Sequence, residues 1–580
     1  MTPLMIRRTM TYATLSALLL APLGLPALAL ALPAADATTA EVAALPATPI
    51  DPARLSAHVK VLADDSFEGR GPATRAEVKT LDYIIGQMKE TGLAPGGDLQ
   101  ADGTRSWTQA VALARFEVKG SPKLAFSDHG HRLPLTFGDD VVAHTLVPVT
   151  SVAIRHAPLV FVGYGVKAPE RGWDDFKGVD LKGKIAVVLI NDPDFETPPG
   201  HPTTGKFDGK AMTYYGRWTY KYEEAARQGA LGMLIVHETA PAAYGWATVK
   251  NSNSAPQFDV IRPNPSAAHP LLEAWLQRDQ AVALFKRAGL DFDAEKAKAQ
   301  YASFKPVQLK GQSFSARYQV AASTIESHNV IGVFPGTTAP DEYVFYSAHW
   351  DHLGIGLPDA KGDRIYNGAV DNAGGIASLL ELARVYAHAP RTRRTVGFIA
   401  WTAEEKGLLG SEYYAAHPVY PLAKTVALFN RDGLSTNGPA RDISTSGNGH
   451  LSLQDDIAAM AVSEGRRFTP DAVPEAGHFF RSDHFSLAKR GVPAISVNGG
   501  IDLYQGGEAA GRAAERDYVE HRYHQPADEW RADWDLRGQA IDDGLIYKVG
   551  RALADGTAWP TWQDGSEFKA IRDKTADQRH

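Results

Sequence analysis

The chain has 580 residues, of which 44% are hydrophobic and 22% charged, the balance of a folded globular protein with room for more than one core. A formal net charge of -7, spread without long runs, argues against nucleic acid as a partner. The absence of cysteine excludes disulfides, thiolate catalysis, cysteine-ligated zinc and the lipidated cysteine of a bacterial lipoprotein.

At the start of the chain, Arg7 and Arg8 precede an apolar run from Ala13 to Leu32, broken by Pro22 and Pro26 and followed by the small residues Ala35-Asp36-Ala37. This pattern predicts a cleaved signal peptide over 1–35, and with it a periplasmic or secreted protein that keeps no stable membrane span after cleavage. The stretches PARLSAHVKVLADD and RAEVKTLDYIIGQMKETGL carry apolar residues at helical spacing, the second ended by Gly92, and predict two helices within 36–140, the N-terminal part of a larger domain. From 141 to 304 the texture changes to short apolar runs, APLVFVGYG, GKIAVVLINDPDF and MLIVHET, around a helical KYEEAARQGALG. That order predicts a smaller inserted module, α/β or β-barrel. Between 305 and 560 the apolar strands NVIGVFPG, YVFYSAHWD, TVGFIAWTAEE, TVALFNRD and VPAISVNGG alternate with the helical stretches AGGIASLLELARVYA and SLQDDIAAMAVSEG. The alternation predicts an α/β fold whose mainly parallel mixed sheet is flanked by helices, leaving 561–580 as a C-terminal tail.

In such sheets, ligands gather beyond the C-terminal ends of the strands. His349 and Asp351 follow YVFYSA, Glu404 and Glu405 follow TVGFIAWTA, and Asp432 follows TVALFNR, so three strand ends deliver five metal-competent side chains to one rim. Asp371, before the helix that starts near Gly375, and His524, in a loop marked by Pro526, are able to join them. Without cysteine, a zinc site must use imidazole nitrogen and carboxylate oxygen. A two-metal hydrolase needs metals about 3.5–4 Å apart, a bridging carboxylate and a base for the attacking water, which this inventory supplies. One carboxylate of an adjacent pair can ligate while its neighbour takes the proton. Asp351, with the same strand parity as His349, is placed to fix the imidazole by a hydrogen bond. His352, His478, His484 and His521 are not needed once this set is complete, and RSDHF at 481–485 is a second-tier candidate for lining the pocket. The aromatics from Tyr214 to Tyr222 read as a packing cluster more readily than as a pocket edge.

HWD, the aspartate of VDNAGG, AEEKGLLGS, the aspartate of NRDG and YHQPAD occur in that order between about 349 and 528. Together they resemble the five-part signature of metallopeptidase family twenty-eight, the di-zinc aminopeptidases. The upstream DDSFEGRGPATRAEV is similar to the N-terminal part of that family, and FVGYG, LKGKIAVVL and AARQGALGMLIV resemble the protease-associated domain that many members carry.

The resemblance implies a zinc-exopeptidase, phosphorylase/hydrolase-like fold with an inserted protease-associated domain. It implies two Zn2+ per chain, with Mn2+ or Co2+ as substitutes. His349 and Asp432 would bind one ion, Glu405 and His524 the other, and Asp371 would bridge them. Glu404 becomes the general base, Asp351 the group orienting His349, and Tyr523 a donor to the developing oxyanion. A cis peptide is expected at Asp371-Asn372. The gap between His349 and Asp371 is longer than in minimal members, and its GIGLPDAKGDRIYNGA is expected to form a loop over the rim.

The function this implies is that of an exported aminopeptidase, cleaving the N-terminal peptide bond of peptides with a free N-terminus by metal-activated water and the Glu404 base. The alternatives are a di-zinc carboxypeptidase or deacylase-type amidohydrolase, a non-catalytic binding protein on the same fold, and a single-zinc glutaminyl cyclase. Deacylases usually carry their extra domain inside the catalytic half, whereas here the insert precedes His349. Which residue holds the substrate's α-ammonium, and the oligomeric state, are not written in the sequence.

Overall fold

The computed structural model describes residues 45–447 and 450–579, so the expected signal peptide lies outside the described residues. The first helix, α1 (Pro52–Leu62), starts where Asp51 accepts the Ala53 N–H and Pro52 presets the backbone. The second, α2 (Arg75–Glu90), is capped by Thr74, whose hydroxyl accepts from Ala76 N. Both place an apolar stripe against the main core, through Leu55, Val59, Leu62, Ile84 and Met88.

The long strand β1 (Thr108–Asp128) opens the insert, which continues through β2 (Val141–His144), β3 (Ser151–Phe161), β4 (Ile185–Leu189), α3 (Trp218–Arg227), β5 (Gly232–His237), α4 (Trp246–Ser254) and β6 (Leu272–Gln277). A second long strand, β7 (Val307–Phe334), pairs antiparallel with β1 from Gln312↔Asp128 to Val330↔Thr108 and leads back to the larger unit. Strands β3, β4, β5 and β6 are parallel neighbours, closed at one edge by antiparallel β2. The apolar cluster of this module takes in Phe116 and Phe126, before the expected start at 141, and Phe314, Tyr318 and Val320, after the expected end at 304. The reason is that β1 and β7 run unbroken through both units, and the alternating polarity of a long ribbon carries no mark where one core ends and the next begins.

The larger unit adds β8 (Ala339–His349), α5 (Gly374–Ala387), β9 (Arg394–Trp401), β10 (Thr425–Asn430), β11 (Asp442–Thr445), β12 (Arg467–Thr469), β13 (Ala494–Gly499) and α6 (Arg537–Asp555). Its sheet runs β12-β11-β13-β10-β8-β9-β7. The central four strands are parallel, while β7 and β11 run against their neighbours β9 and β13, giving the mainly parallel mixed sheet that the alternation predicts. Every residue of β9 and β10 is buried, as expected of strands covered by helices on both faces. Tyr346 stacks at 5.6 Å on Phe398 and 5.4 Å on Phe429, an aromatic rung across three strands. The registers His349↔Trp401 and Ser347↔Asn430 bring the C-terminal ends of β8, β9 and β10 level.

The segment after Gly354 is a short hairpin, Gly354–Ile355 against Ile365–Tyr366, packed on the turn at Gly69. Gly69 has φ +65, and a Cβ there would meet Tyr366 O at 2.5 Å, so this close approach requires glycine. The hairpin thus leans on the N-terminal segment, and residues 354–366 do not line the cleft described below. The stretch read as a tail is also docked: Trp562, Phe568 and Arg572 are buried, and Trp562 Nε1 donates to Gly491 O at 3.0 Å. Two large aromatics in that stretch supply apolar area that favours packing over exposure. Among the described residues, no helix is long and apolar enough to cross a membrane.

Candidate metal and catalytic centre

The level strand ends form one rim, and the polar residues that follow them turn inward. His349, the last residue of β8, is 1% exposed, and its Nε2 lies 3.0 Å from Asp432 Oδ1 and 3.3 Å from Asp371 Oδ1. On the far side of Asp371, His524 Nε2 lies 3.2 Å from Oδ2 and 3.0 Å from Glu405 Oε2. Asp371 therefore offers one oxygen to each of two donor groups, His349 with Asp432 and His524 with Glu405. The Asp371-Asn372 peptide is cis, as the resemblance implies.

Glu404 sits beside this set, its Oε2 3.8 Å from His349 Nε2, and no hydrogen bond among the described residues engages its carboxylate. Its neighbour Glu405 is enclosed. The turn that separates the two begins at Ala403, which takes a left-handed φ of 51. Asp351, fully buried, accepts the backbone N–H of Glu404 at 3.0 Å and of Glu405 at 3.4 Å. The imidazole it was expected to orient instead meets the Asp351 backbone, with His349 Nδ1 at 3.1 Å from the carbonyl and 3.8 Å from the carboxylate. The hydrogen bonds to the Asp351 carboxylate thus come from the Glu404-Glu405 turn.

Their neighbours drive the two buried glutamates apart in charge preference. Glu404 is pushed well above the carboxylate range by burial, with Asp432 and Glu405 adding to it against the pull of His349. Burial would raise Glu405 too, but His524 and His352 outweigh it and hold the group below its ordinary value. Asp371 is likewise held well below its ordinary range, its burial offset by hydrogen bonds from His349 and His524. Adjacent carboxylates with opposed tendencies are the expected signature of different roles.

Outer residues fix this set. Asp528 of YHQPAD, 1% exposed, accepts the N–H of Val370 at 3.1 Å and of Asp371 at 3.1 Å. Arg70 is fully buried and donates to the carbonyls of Trp350, Leu62 and Gly368, each at 2.8 Å, and to Asn367 O at 2.5 Å, tying the N-terminal segment to the Asp371 loop. His352, expected to need no role, places Nδ1 2.5 Å from Glu405 Oε1, behind the face that His524 occupies. From the insert, Ser252 Oγ lies 2.8 Å from His524 Nδ1, and Asn251 Nδ2 donates to His524 O at 2.9 Å. Such partners set ring orientation and basicity of a ligating imidazole. Ser252 carries no local sequence signal, since its partner lies 272 residues away, and Arg70 is marked only as part of the DDSFEGRGPATRAEV stretch.

The donor set suits a hard or borderline divalent cation, because all donors are imidazole nitrogens or carboxylate oxygens. His349, Asp371 and Asp432 bring ligand atoms within 4.8 Å of one another, as do His352, Asp371 and Glu405. At Glu405, His524 lines the cleft while His352 is fully buried. Several buried carboxylates without an arginine or lysine partner are costly unless a cation compensates them.

The set opens into a cleft of about 190 Å³, walled on one side by Glu404, Glu405, Phe480, Arg481 and Tyr523 and on the other by the insert. Tyr214, Trp218 and Tyr222 line it, so the aromatic cluster does reach the pocket edge. Tyr523 stacks on His524 with ring centres 3.9 Å apart and accepts from Arg481 Nη2 at 2.9 Å. The RSDHF stretch contributes Arg481 and Phe485 to the lining, while Asp483 and His484 lie fully buried beneath it.

Residues 329–543 match the profile of Peptidase family M28. The chain is 35% identical over 116 residues to a "Probable zinc metalloprotease" of Pyrenophora teres f. teres (strain 0-1), covering 20% of this chain and 24% of that one. It is 27% identical over 245 residues to the "Probable lipoprotein aminopeptidase LpqL" of Mycobacterium tuberculosis, covering 38% and 45%. The chain spans about a quarter or less of the length of the first curated relatives it matches. Among solved structures, an aminopeptidase from Aneurinibacillus sp. strain AM-1 aligns over 87% of this chain and 94% of that one, with a TM-score of 0.47 and 18% identity.

Proposed function

We propose, on the premise that residues 329–543 form a domain of peptidase family M28, that the chain is a zinc-dependent aminopeptidase. The observation that carries this reading is Asp371 offering one oxygen to each of two His-carboxylate groups, with the unengaged Glu404 beside them. His349, Asp432 and Asp371 would hold one Zn2+, and Glu405, His524 and Asp371 a second, with Mn2+ or Co2+ able to substitute. Bound zinc would supply Lewis acidity toward a peptide carbonyl and acidify a water molecule.

Glu404 is the base. Its raised proton affinity and its freedom from hydrogen bonds equip it to take a proton from the attacking water and return it to the leaving amine. Tyr523 accepts from Arg481, which leaves its own O–H free to donate to charge developing on the carbonyl oxygen. Asp351 keeps the Glu404-Glu405 turn in place. The insert, in this reading a protease-associated domain, forms one wall of the cleft and so limits the substrate to chains whose end can enter it. The N-terminal pattern supports export to the periplasm or the medium.

The test is release of a chromophoric amine from aminoacyl anilides by purified protein with and without zinc, beside Glu404→Gln and N-acylated controls. Zinc-dependent cleavage of free-amine substrates, reduced about 10²- to 10⁴-fold in the variant, is expected. Cleavage of the N-acylated controls instead would move the reading to the deacylase or carboxypeptidase class. About one zinc per chain would point to the cyclase alternative, and none to a binding protein.

A further inference from the structure

One arginine in the cleft has no acid set against it among the described residues. Arg217, the residue before α3, is 7% exposed and lines the cleft, and its Nε is buried without a partner. Among the described residues its guanidinium makes no ion pair and no hydrogen bond. The charge that acts on it most strongly is a second arginine, Arg481, and the neighbouring groups are the hydroxyls of Tyr244, Tyr523 and Tyr214.

Apart from Glu404 and Glu405 at the metal centre, the acids that line the cleft are already engaged. Glu223 accepts from Tyr214 at 2.8 Å, Asp259 takes both arms of Arg262 at 2.8 and 2.9 Å, Glu412 meets the same arginine at 3.3 Å, and Glu273 is held between His144 and His269. Arg481 spends its donors on Tyr523 OH and Ala476 O, and among the described residues forms no ion pair. An uncompensated guanidinium buried to this degree is costly unless a ligand completes it. Its planar fork matches a carboxylate better than any other group a peptide offers.

We propose that Arg217, with Arg481 beside it, is the subsite for a substrate carboxylate, so that the enzyme selects peptides bearing a negative charge next to the scissile bond. This rests on the peptidase reading above. The carboxylate has two sources: an aspartyl or glutamyl side chain at the N-terminal residue, or the free C-terminus of a very short peptide. The insert then acts as a specificity element, because Arg217 belongs to it while the proton-transfer residues do not.

Initial rates would be compared for glutamyl and glutaminyl anilides, and for one dipeptide with free and amidated C-terminus, using the zinc-loaded chain and its Arg217→Gln and Arg217→Lys variants. One carboxylate substrate is expected to exceed its amide by about 10- to 100-fold in kcat/KM, the worth of a charged hydrogen bond. That ratio should collapse in Arg217→Gln and survive in part in Arg217→Lys. The pair that shows it names the source. Parallel calorimetry of L-glutamate, glutarate and L-glutamine with metal-free protein separates this subsite from catalysis. If nothing is cleaved but the two carboxylate probes bind the parent chain and not Arg217→Gln, the subsite stands and the peptidase reading falls. Cleavage with no preference for either carboxylate over its amide, or an equal loss on all substrates in Arg217→Gln, overturns the subsite and leaves the peptidase reading intact. Absence of both cleavage and glutamate binding also overturns it.

Discussion

The two halves of the centre are built differently. His349 closes β8 and Asp432 follows β10, and the two strands are neighbours locked by parallel pairing. Their side chains arrive in place because the sheet is in place. In the other half only Glu405 follows a strand, and at a distance of four residues from the end of β9. Glu405 follows a turn whose first residue, Ala403, is left-handed, and His524 itself holds φ at 55, a conformation that costs a non-glycine residue about 1 kcal/mol or more. That half is positioned by side chains: Asp351 on the turn, His352 behind Glu405, and Ser252 and Asn251 from the insert on His524. One subsite is a product of the sheet, and the other of contacts that can be removed one at a time. The difference is a basis for experiments that treat the halves separately.

The strongest break removes what they share. In Asp371→Asn the backbone hydrogen bonds to Asp528 can persist while the shared negative charge is lost. Metal content is expected to fall from about two ions per chain to one or fewer, and kcat/KM by on the order of 10³ or more, because several kcal/mol of charge stabilisation goes with it. Retention of two ions at parent affinity would show that the carboxylate does not bridge.

A gentler change should divide the halves. Ser252→Ala deletes the hydroxyl 2.8 Å from His524 Nδ1 and touches nothing on β8 or β10. Loss of such a partner typically weakens metal affinity about 10- to 100-fold. Chelator competition should therefore resolve one equivalent of zinc that leaves more readily and one that does not change. Equal weakening of both would mean the insert acts on the centre as a whole.

The unevenness also explains what the sequence could convey. Carboxylates and histidines directly after apolar strands are visible because strand polarity ends abruptly at Ser347, Thr402 and Asn430. The parallel sheet that levels those ends follows from the same runs. Arg70, Asp528 and Ser252 were not legible as positioning residues, because each works through a partner far along the chain, and a serine near the end of a short helix looks like any solvated one. Arg217 is hidden for the same reason, since only the fold shows that no acid reaches it. A ligand series that is complete without His352 gives it no role in the sequence, yet it stands against Glu405. The hairpin after Gly354 lies on Gly69 and not over the rim, a placement decided by one glycine's close approach.

The most indirect test asks whether the insert's own stability reaches the centre. Inside that module His269 Nδ1 lies 2.8 Å from Glu273 Oε1 and its Nε2 3.1 Å from Asp259 Oδ2, while His144 Nε2 holds the other oxygen of Glu273 at 3.1 Å. Burial alone would depress His269, but Glu273 and Asp259 outweigh it and push its pKa up to about 10. For Glu273, burial is outweighed by His269 and His144, and the pKa falls to about 2. A raised histidine contributes stability that is fully present below its unfolded value near 6.5 and is lost as pH rises through about 10. The depressed glutamate contributes stability present above 4.5 and lost as pH falls toward 2. The network is thus at full strength between about pH 4.5 and 6.5 and weakens on the alkaline side. Thermal unfolding of the metal-free chain should accordingly lose stability between pH 7 and 10. In His269→Gln that slope should flatten, with about 3 kcal/mol lost at pH 6 because two buried carboxylates lose a cationic partner. If the slope survives the substitution, the alkaline loss originates elsewhere. If the slope vanishes and the weaker zinc equivalent becomes still weaker in the same variant, the module's stability is transmitted through α4 and Ser252 to His524, and only that half of the centre depends on it.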